Sequence, residues 1–327
     1  MSHFGELLVR LDPWQVDYGT ELPLEDVEEG PDEAVVLDVE LPVGEWRPVT
    51  PSETLTPTRL VFVDGVRRLE ARLIVRRGER VCHGAFGSYA VGAVGVANDV
   101  ATCLTPGVDR LVVVGSGEAL LSSVMVAPGL PYRPVSTLDN DPDAPLRAIQ
   151  VRMRLAEERL GKELANTDDT LVIADGPLTF EEALRGAAVG YVKRIFKLYL
   201  PREHISLLAD LKMGERTPVF ALRSSRRFVR FSWFVRLAQA SLGDSELAGI
   251  ARLEVSEAVG NETARRLADA TTVLLPRFVP RRWRDPRSPQ NLLPIGALEA
   301  SLRRHLGDAR LIRRYIETLI ATEARSG

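Results

Sequence analysis

Two apolar runs in this sequence end in aspartate and glycine: RLVFVDG at residues 59 to 65 and TLVIADG at residues 170 to 176. A carboxylate at the end of a buried strand is costly to desolvate unless it has a partner, commonly a cation. If the two strands are neighbours, Asp64 and Asp175 meet at the carboxyl edge of a sheet, where ligands of open α/β sheets gather. Two carboxylates that close repel one another unless a cation bridges them or one takes a proton. A divalent Mg²⁺ or Mn²⁺ is the economical solution, because hard ions take oxygen ligands and keep positions for water and phosphate. The chemistry such a site suits is phosphodiester cleavage. Asp-Gly is also a favoured turn dipeptide, and a single one after a strand would read as a turn only. A matched pair in a chain with a basic body favours the site.

Positioning these acids requires a sheet with helices on its faces. Residues 1–58 hold short strand-like runs such as AVVLDVELPV, broken by Pro and Gly, and read as an acidic arm or subdomain ahead of a core over residues 59–327. In the core RLVFVDG is expected as a strand, with Leu69 to Val75 as its hairpin partner turning at Arg77, Gly78 and Glu79. HGAFGSYAVGAVGVA and RLVVVGSGE are expected as the next two strands. From Pro145 to about Ala165 the residues Ile149, Met153, Ala156, Leu160 and Leu164 recur at helical spacing. TLVIADG follows as a strand and FEEALRGAAVG as a helix with Thr179 at its N-cap. Further strands are expected at YVKRIF, PVFALRS, RFVRFSWFVRLA and GIARLEV, then a helix from Ser256 to Ala268. TTVLLPRFV reads as strand or extended chain, and two helices close the sequence. The order of elements is that of a mixed α/β sheet.

Charge is unevenly spread. Twelve acidic residues and no Lys or Arg lie between Asp12 and Glu45; without those twelve the net charge of -3 becomes +9. The basic body concentrates arginine, the side chain best suited to bidentate phosphate contacts. Arg67 and Arg68, then Arg223, Arg226, Arg227 and Arg230, then Arg281 and Arg282 are candidates for contacting nucleic acid. The segment RRFVRFSWF adds Trp233 as a stacking aromatic. The acidic leader suits a protein partner. No run approaches the ~20 apolar residues needed to span a bilayer, and the N-terminus lacks the build of a signal peptide, so a cytoplasmic protein is expected. Cys82 and Cys103 have neither zinc nor disulfide spacing and read as buried thiols.

VFVDG, IADGPL, GYVKR and DPRSPQNLLPIGALEASLRRHLGD, in that order, together resemble the NurA nuclease family over roughly residues 55 to 322. The resemblance implies an RNase H-like core and a homodimer that degrades DNA with Mn²⁺ or Mg²⁺, in end resection with the hexameric ATPase HerA. It implies metal-binding roles for Asp64 and Asp175. It also implies a third carboxylate from the preceding helix, Glu157 of MRLAEERLG beside the apolar stripe, with Glu158 as the fallback. Lys193 of GYVKR matches the family's basic residue after the second aspartate strand. Where the family has a histidine early in a Pro-led helix, LLPIGALEAS places Glu299; a carboxylate can be a further ligand but cannot act as an imidazole. Two readings of other classes remain: an actin-like ATPase, which shares the topology and such acids, and an inactive DNA-binding scaffold for a motor.

Overall fold

The computed structural model describes residues 4–12, 33–51, 57–98, 100–179, 181, 184–195, 197–224, 228–241 and 243–326. Arg226, Arg227 and most of the acidic leader lie outside them. In chain order the first strands are β1 (Leu8–Leu11), β2 (Glu33–Val36), β3 (Arg59–Arg77), β4 (Arg80–Ala97), β5 (Val100–Cys103), β6 (Gly107–Val114), β7 (Val124–Ala127) and β8 (Leu130–Ser136). Then come helix α1 (Ala144–Ala165), β9 (Thr170–Asp175), β10 (Ala187–Val192) and α2 (Arg202–Asp210). The chain ends with β11 (Phe220–Ser224), β12 (Arg230–Arg236), β13 (Ile250–Ser256), α3 (Asn261–Leu274), α4 (Leu293–His305) and α5 (Ala309–Ser326). None of the described helices is long and apolar enough to cross a membrane.

All thirteen strands join one sheet in the order β2-β11-β12-β13-β10-β9-β3-β4-β6-β8-β7, with β1 added to β3 and β5 to β4. Its centre, β6-β4-β3-β9-β10, is RNase H-like: three antiparallel strands, then β9 and β10 parallel to β3 and to each other. Both faces are covered, as a parallel segment requires. Leu60 and Phe62 pack with α3 and the start of α4 on one face, whereas Val61 and Val63 pack with the end of α1 on the other.

The hairpin differs from the expected one. Residues 69–75 do not fold back on RLVFVDG; β3 continues through them as one 19-residue strand, and its partner is β4. Asp64 and Gly65 pair with Gly92 and Val91 inside the ladder, so this Asp-Gly is no turn. The turn does lie where expected, at Gly78 and Glu79, and the Gly78 φ of 58° suits a two-residue hairpin loop. Twist over so long a ribbon is taken up by a bulge at Glu70, whose buried carboxylate accepts from Tyr132 and Ser88.

Two further expectations are corrected. The segment 187–190, read as the end of a helix, is the start of β10: a Cβ at Gly190 would lie 2.7 Å from the Leu178 nitrogen, so this small residue lets the returning loop cross the strand. TTVLLPRFV is not extended; α3 runs through it to Leu274 and passes into a 3-10 turn. Thr271 and Thr272 return their hydroxyls to the carbonyls of Leu267 and Ala268, which keeps these β-branched residues satisfied inside a helix. Cys82 is buried, but Cys103 is exposed on short β5.

Trp233 is completely buried beneath α3 and donates to the Thr271 hydroxyl, and Arg230 is buried beside Glu254. Neither is available to nucleic acid, which corrects the reading of RRFVRFSWF as a strand-guiding segment. In a strand covered on both faces, alternation cannot mark an outward residue. Trp233→Ala should therefore act on stability, costing about 3–5 kcal/mol in a urea titration. DNA affinity of the folded fraction should not change.

Candidate metal centre

The site follows from strand parity. Side chains two residues apart share a face. Asp64 is therefore in step with Leu60 and Phe62, Asp175 with Leu171 and Ile173, and Lys193 with Val189 and Tyr191, all on the α3 and α4 side. Parallel pairing of Val63 with Ala174 and of Tyr191 with Asp175 sets the two aspartates at one level, with Lys193 two residues past Tyr191, just beyond the end of β10. Helix α4 crosses the same face, packing Leu298 and Leu302 on Val66 and Val94, and delivers Glu299. One carboxylate oxygen from each of Asp64, Asp175 and Glu299 lies within 4.8 Å of the others.

The expected carboxylate trio with Glu157 is thus arranged differently. Glu157 belongs to α1, against the opposite face, and reaches the sheet where Gly65 has no side chain: a Cβ there would stand 2.4 Å from Glu157 Oε1. It still contributes to the field on Asp64. Glu158 pairs with Lys162 at 2.7 Å along the helix. Glycine in VFVDG therefore has a steric reason. Gly65→Ala should cost about 1–3 kcal/mol by overpacking and should displace Glu157. Thermal unfolding with and without Mn²⁺ would measure the stability loss and any change in metal-dependent stabilisation.

Burial, then the charges of Asp175 and Glu157, push the Asp64 carboxyl well above its ordinary range. Lys193 Nζ sits 2.6 Å from Asp175 and 3.5 Å from Glu299, and also donates to Asn291 at 3.0 Å. Burial disfavours its charge, but Asp175 and Asp64 outweigh it and hold the lysine above its usual value. Asp64 Oδ2 and Asp175 Oδ1 are nevertheless buried with no hydrogen-bond partner among the described residues. Buried acceptors of this kind, facing a third carboxylate, fit a hard divalent cation.

Sequence reasoning missed the residues that hold this cluster. Arg154 donates to Glu157 and to the Asp175 carbonyl at 2.9 and 3.0 Å, bracing α1 against the end of β9. Arg287 donates to Glu299 at 2.6 Å, and Asn291 links Lys193 to Asp285. Arg287 and Asn291 fall in DPRSPQNLLP, but nothing in that string shows which carboxylate they face. After Asp175, the Leu178 amide donates to Glu254 at 2.7 Å, so the buried Arg230, Glu254 and Arg252 network anchors the loop leaving the site.

Of the arginines expected at nucleic acid, Arg68 is committed to the fold. It donates to the carbonyls of Leu306 and Gly307 at the end of α4 and pairs with Glu70. Arg67 donates to Gln150 of α1 and is half-buried. Arg223, Arg281 and Arg282 are exposed, Arg282 beside Asp244.

Fold and site together define an RNase H-like α/β protein with a buried acidic cluster at the parallel edge of its sheet. No protein-family model and no curated protein matches the chain. Among solved structures it is similar to the NurA nuclease from Sulfolobus solfataricus, with a TM-score of 0.39 and 13% identity, covering 86% of this chain and 88% of that one. It is also similar to a structure of NurA bound to dAMP and manganese, with a TM-score of 0.20 and 16% identity, covering 42% of this chain and 23% of that one.

Proposed function

We propose that the protein is a Mn²⁺- or Mg²⁺-dependent DNA nuclease. The observation that carries this reading is the convergence of Asp64, Asp175 and Glu299 oxygens within 4.8 Å of one another, with Asp64 Oδ2 and Asp175 Oδ1 lacking a hydrogen-bond partner among the described residues. Asp64, Asp175 and Glu299 would hold the ion, with Glu157 adding charge from across the sheet. A divalent ion there would supply Lewis-acid activation of water and charge for the leaving oxygen. Lys193, already cationic, orients Asp175 and can donate to a non-bridging phosphate oxygen. Arg287 holds Glu299 in place while half its side chain stays in solvent, where a phosphate can reach it.

The wider reading rests on the motif resemblance: a cytoplasmic homodimer framing a DNA channel, acting on single- and double-stranded DNA in end resection with a HerA-type hexameric ATPase, which the acidic residues ahead of the core would contact. The experiment is cleavage of labelled single- and double-stranded DNA with Mn²⁺ or Mg²⁺, with and without such an ATPase. Asp175→Ala should abolish product. Cleavage that survives this substitution would sink the metal-site reading, ATP turnover by the isolated chain without cleavage would favour the ATPase, and DNA binding without either activity would favour a scaffold.

A further inference from the structure

RRWRDPRSPQN, residues 281 to 291, is joined to the acidic cluster through Arg287 and Asn291, and it carries Trp283 at 77% exposure. A tryptophan so exposed is anomalous: Trp233 is fully buried and Trp46 packs its ring on His204 and Phe220. The segment is built rather than loose. The Arg284 amide donates to the Arg281 carbonyl at 2.8 Å, closing a tight turn with Trp283 at its tip, and Ser288 Oγ donates to the Pro280 carbonyl at 2.6 Å. Its far end is fastened to the site: Tyr191 donates to the Gln290 carbonyl, Asn291 accepts from Lys193, and Asp285 is held by Asn291 and Arg287, which itself holds Glu299.

Arg281 and Arg284, on either side of the exposed ring, make no ion pair among the described residues. An indole presented at a fixed place between solvated guanidiniums matches a nucleobase flanked by backbone phosphates. Stacking tolerates any base, but the base must be splayed out of a duplex. An apolar protein partner would fit less well, since the chain neighbours of the ring, Arg282 and Arg284, are exposed cations.

We propose that Trp283 is a base-stacking platform that holds an unpaired DNA nucleotide next to the acidic cluster, with Arg281 and Arg284 on the adjoining phosphates. The inference rests on the nuclease reading, and deepens it by assigning the substrate as a single strand or a frayed end. Because the turn is already ordered by its own hydrogen bonds, stacking requires little further ordering.

The test is binding of fluorescent oligothymidylate and of a blunt duplex in EDTA, where no cleavage occurs, followed by cleavage in Mn²⁺. Trp283→Ala should bind the single strand ~10-fold more weakly, within the range for loss of one stacked base, with a smaller effect on the blunt duplex. Trp283→Phe should recover most of the affinity, and oligothymidylate should quench tryptophan emission of the wild type more than of either variant. Thermal unfolding without DNA should be the same for all three. Unchanged single-strand affinity in Trp283→Ala, with cleavage intact, would overturn the platform while leaving the nuclease reading standing. A Trp283→Ala protein that binds DNA normally but changes sedimentation from that of the wild type would assign the ring to a protein contact and also overturn it. If the wild type neither binds nor cleaves DNA, the nuclease reading fails first.

Discussion

Asp64→Asn is expected to remove DNA cleavage by at least ~10³-fold and, at the same time, to make the metal-free protein more stable. The two effects have one cause. Asp64 is buried against Asp175 and Glu157, and both burial and repulsion raise its folded pKa above the ~3.9 of an unfolded aspartate. A raised folded pKa gives stability that is complete below the unfolded value and is lost as pH rises toward the folded one. The metal-free wild type should therefore lose stability from about pH 4 upward, and Asp64→Asn should lack that part of the slope. Near neutral pH the variant should gain about 1–3 kcal/mol, the usual worth of relieving a poorly compensated buried polar group. Urea titrations in EDTA across this range would measure it. Mn²⁺ should reverse the ranking, since an ion at 100 times its Kd stabilises the folded state by about 2.7 kcal/mol and the variant has lost a central ligand. A variant that is less stable than wild type in EDTA, together with no stabilisation of wild type by Mn²⁺, would refute the site.

Glu254→Ala should be the most destabilising single substitution near the site. Its carboxylate is fully buried, accepts from Arg230 at 3.0 and 3.1 Å and from Arg252 at 2.6 Å, and receives the Leu178 amide at 2.7 Å. Removing it leaves two buried guanidiniums without their shared anion, at a cost of about 3–5 kcal/mol. The loss should show as a lower urea midpoint. It should be partly recovered by adding Arg230→Met, because replacing the ions together is far cheaper than stranding one. Residual activity should also fall at temperatures where the variant is folded, because the loop that follows Asp175 loses its anchor. A destabilisation below 1 kcal/mol would show that the network is no more than a marginal contributor.

Much of the central sheet could be read from short apolar runs and their breaks. The strands around Asp64 and Asp175, the amphipathic helix with Ile149 and Met153, and the paired C-terminal helices follow from local periodicity, which hydrophobic burial enforces. The misses share one origin. Leu69 to Val75 reads as a hairpin partner because the stretch alternates, but alternation is the same whether a strand begins or continues, and Gly65 lets β3 run on while admitting Glu157 from a helix far along the chain. The end of α3 looked extended because Thr271 to Val273 are β-branched, and burial of the helix outweighed that propensity.

Residue types alone pointed to the chemistry within reach, two strand-borne aspartates and a basic body for a polyanion, whereas Lys193, one residue past β10, came with the family resemblance. Alternation along a strand is local, so the parity that puts Asp64, Asp175 and Lys193 on compatible faces is carried by the sequence itself. Which helix supplies the third nearby oxygen, and which aromatics face water, depends on packing between segments far apart in sequence. That packing put Glu299 rather than Glu157 beside the two aspartates, sealed Trp233 and Arg230 inside, and left Trp283 exposed, eight residues before Asn291, which accepts from Lys193.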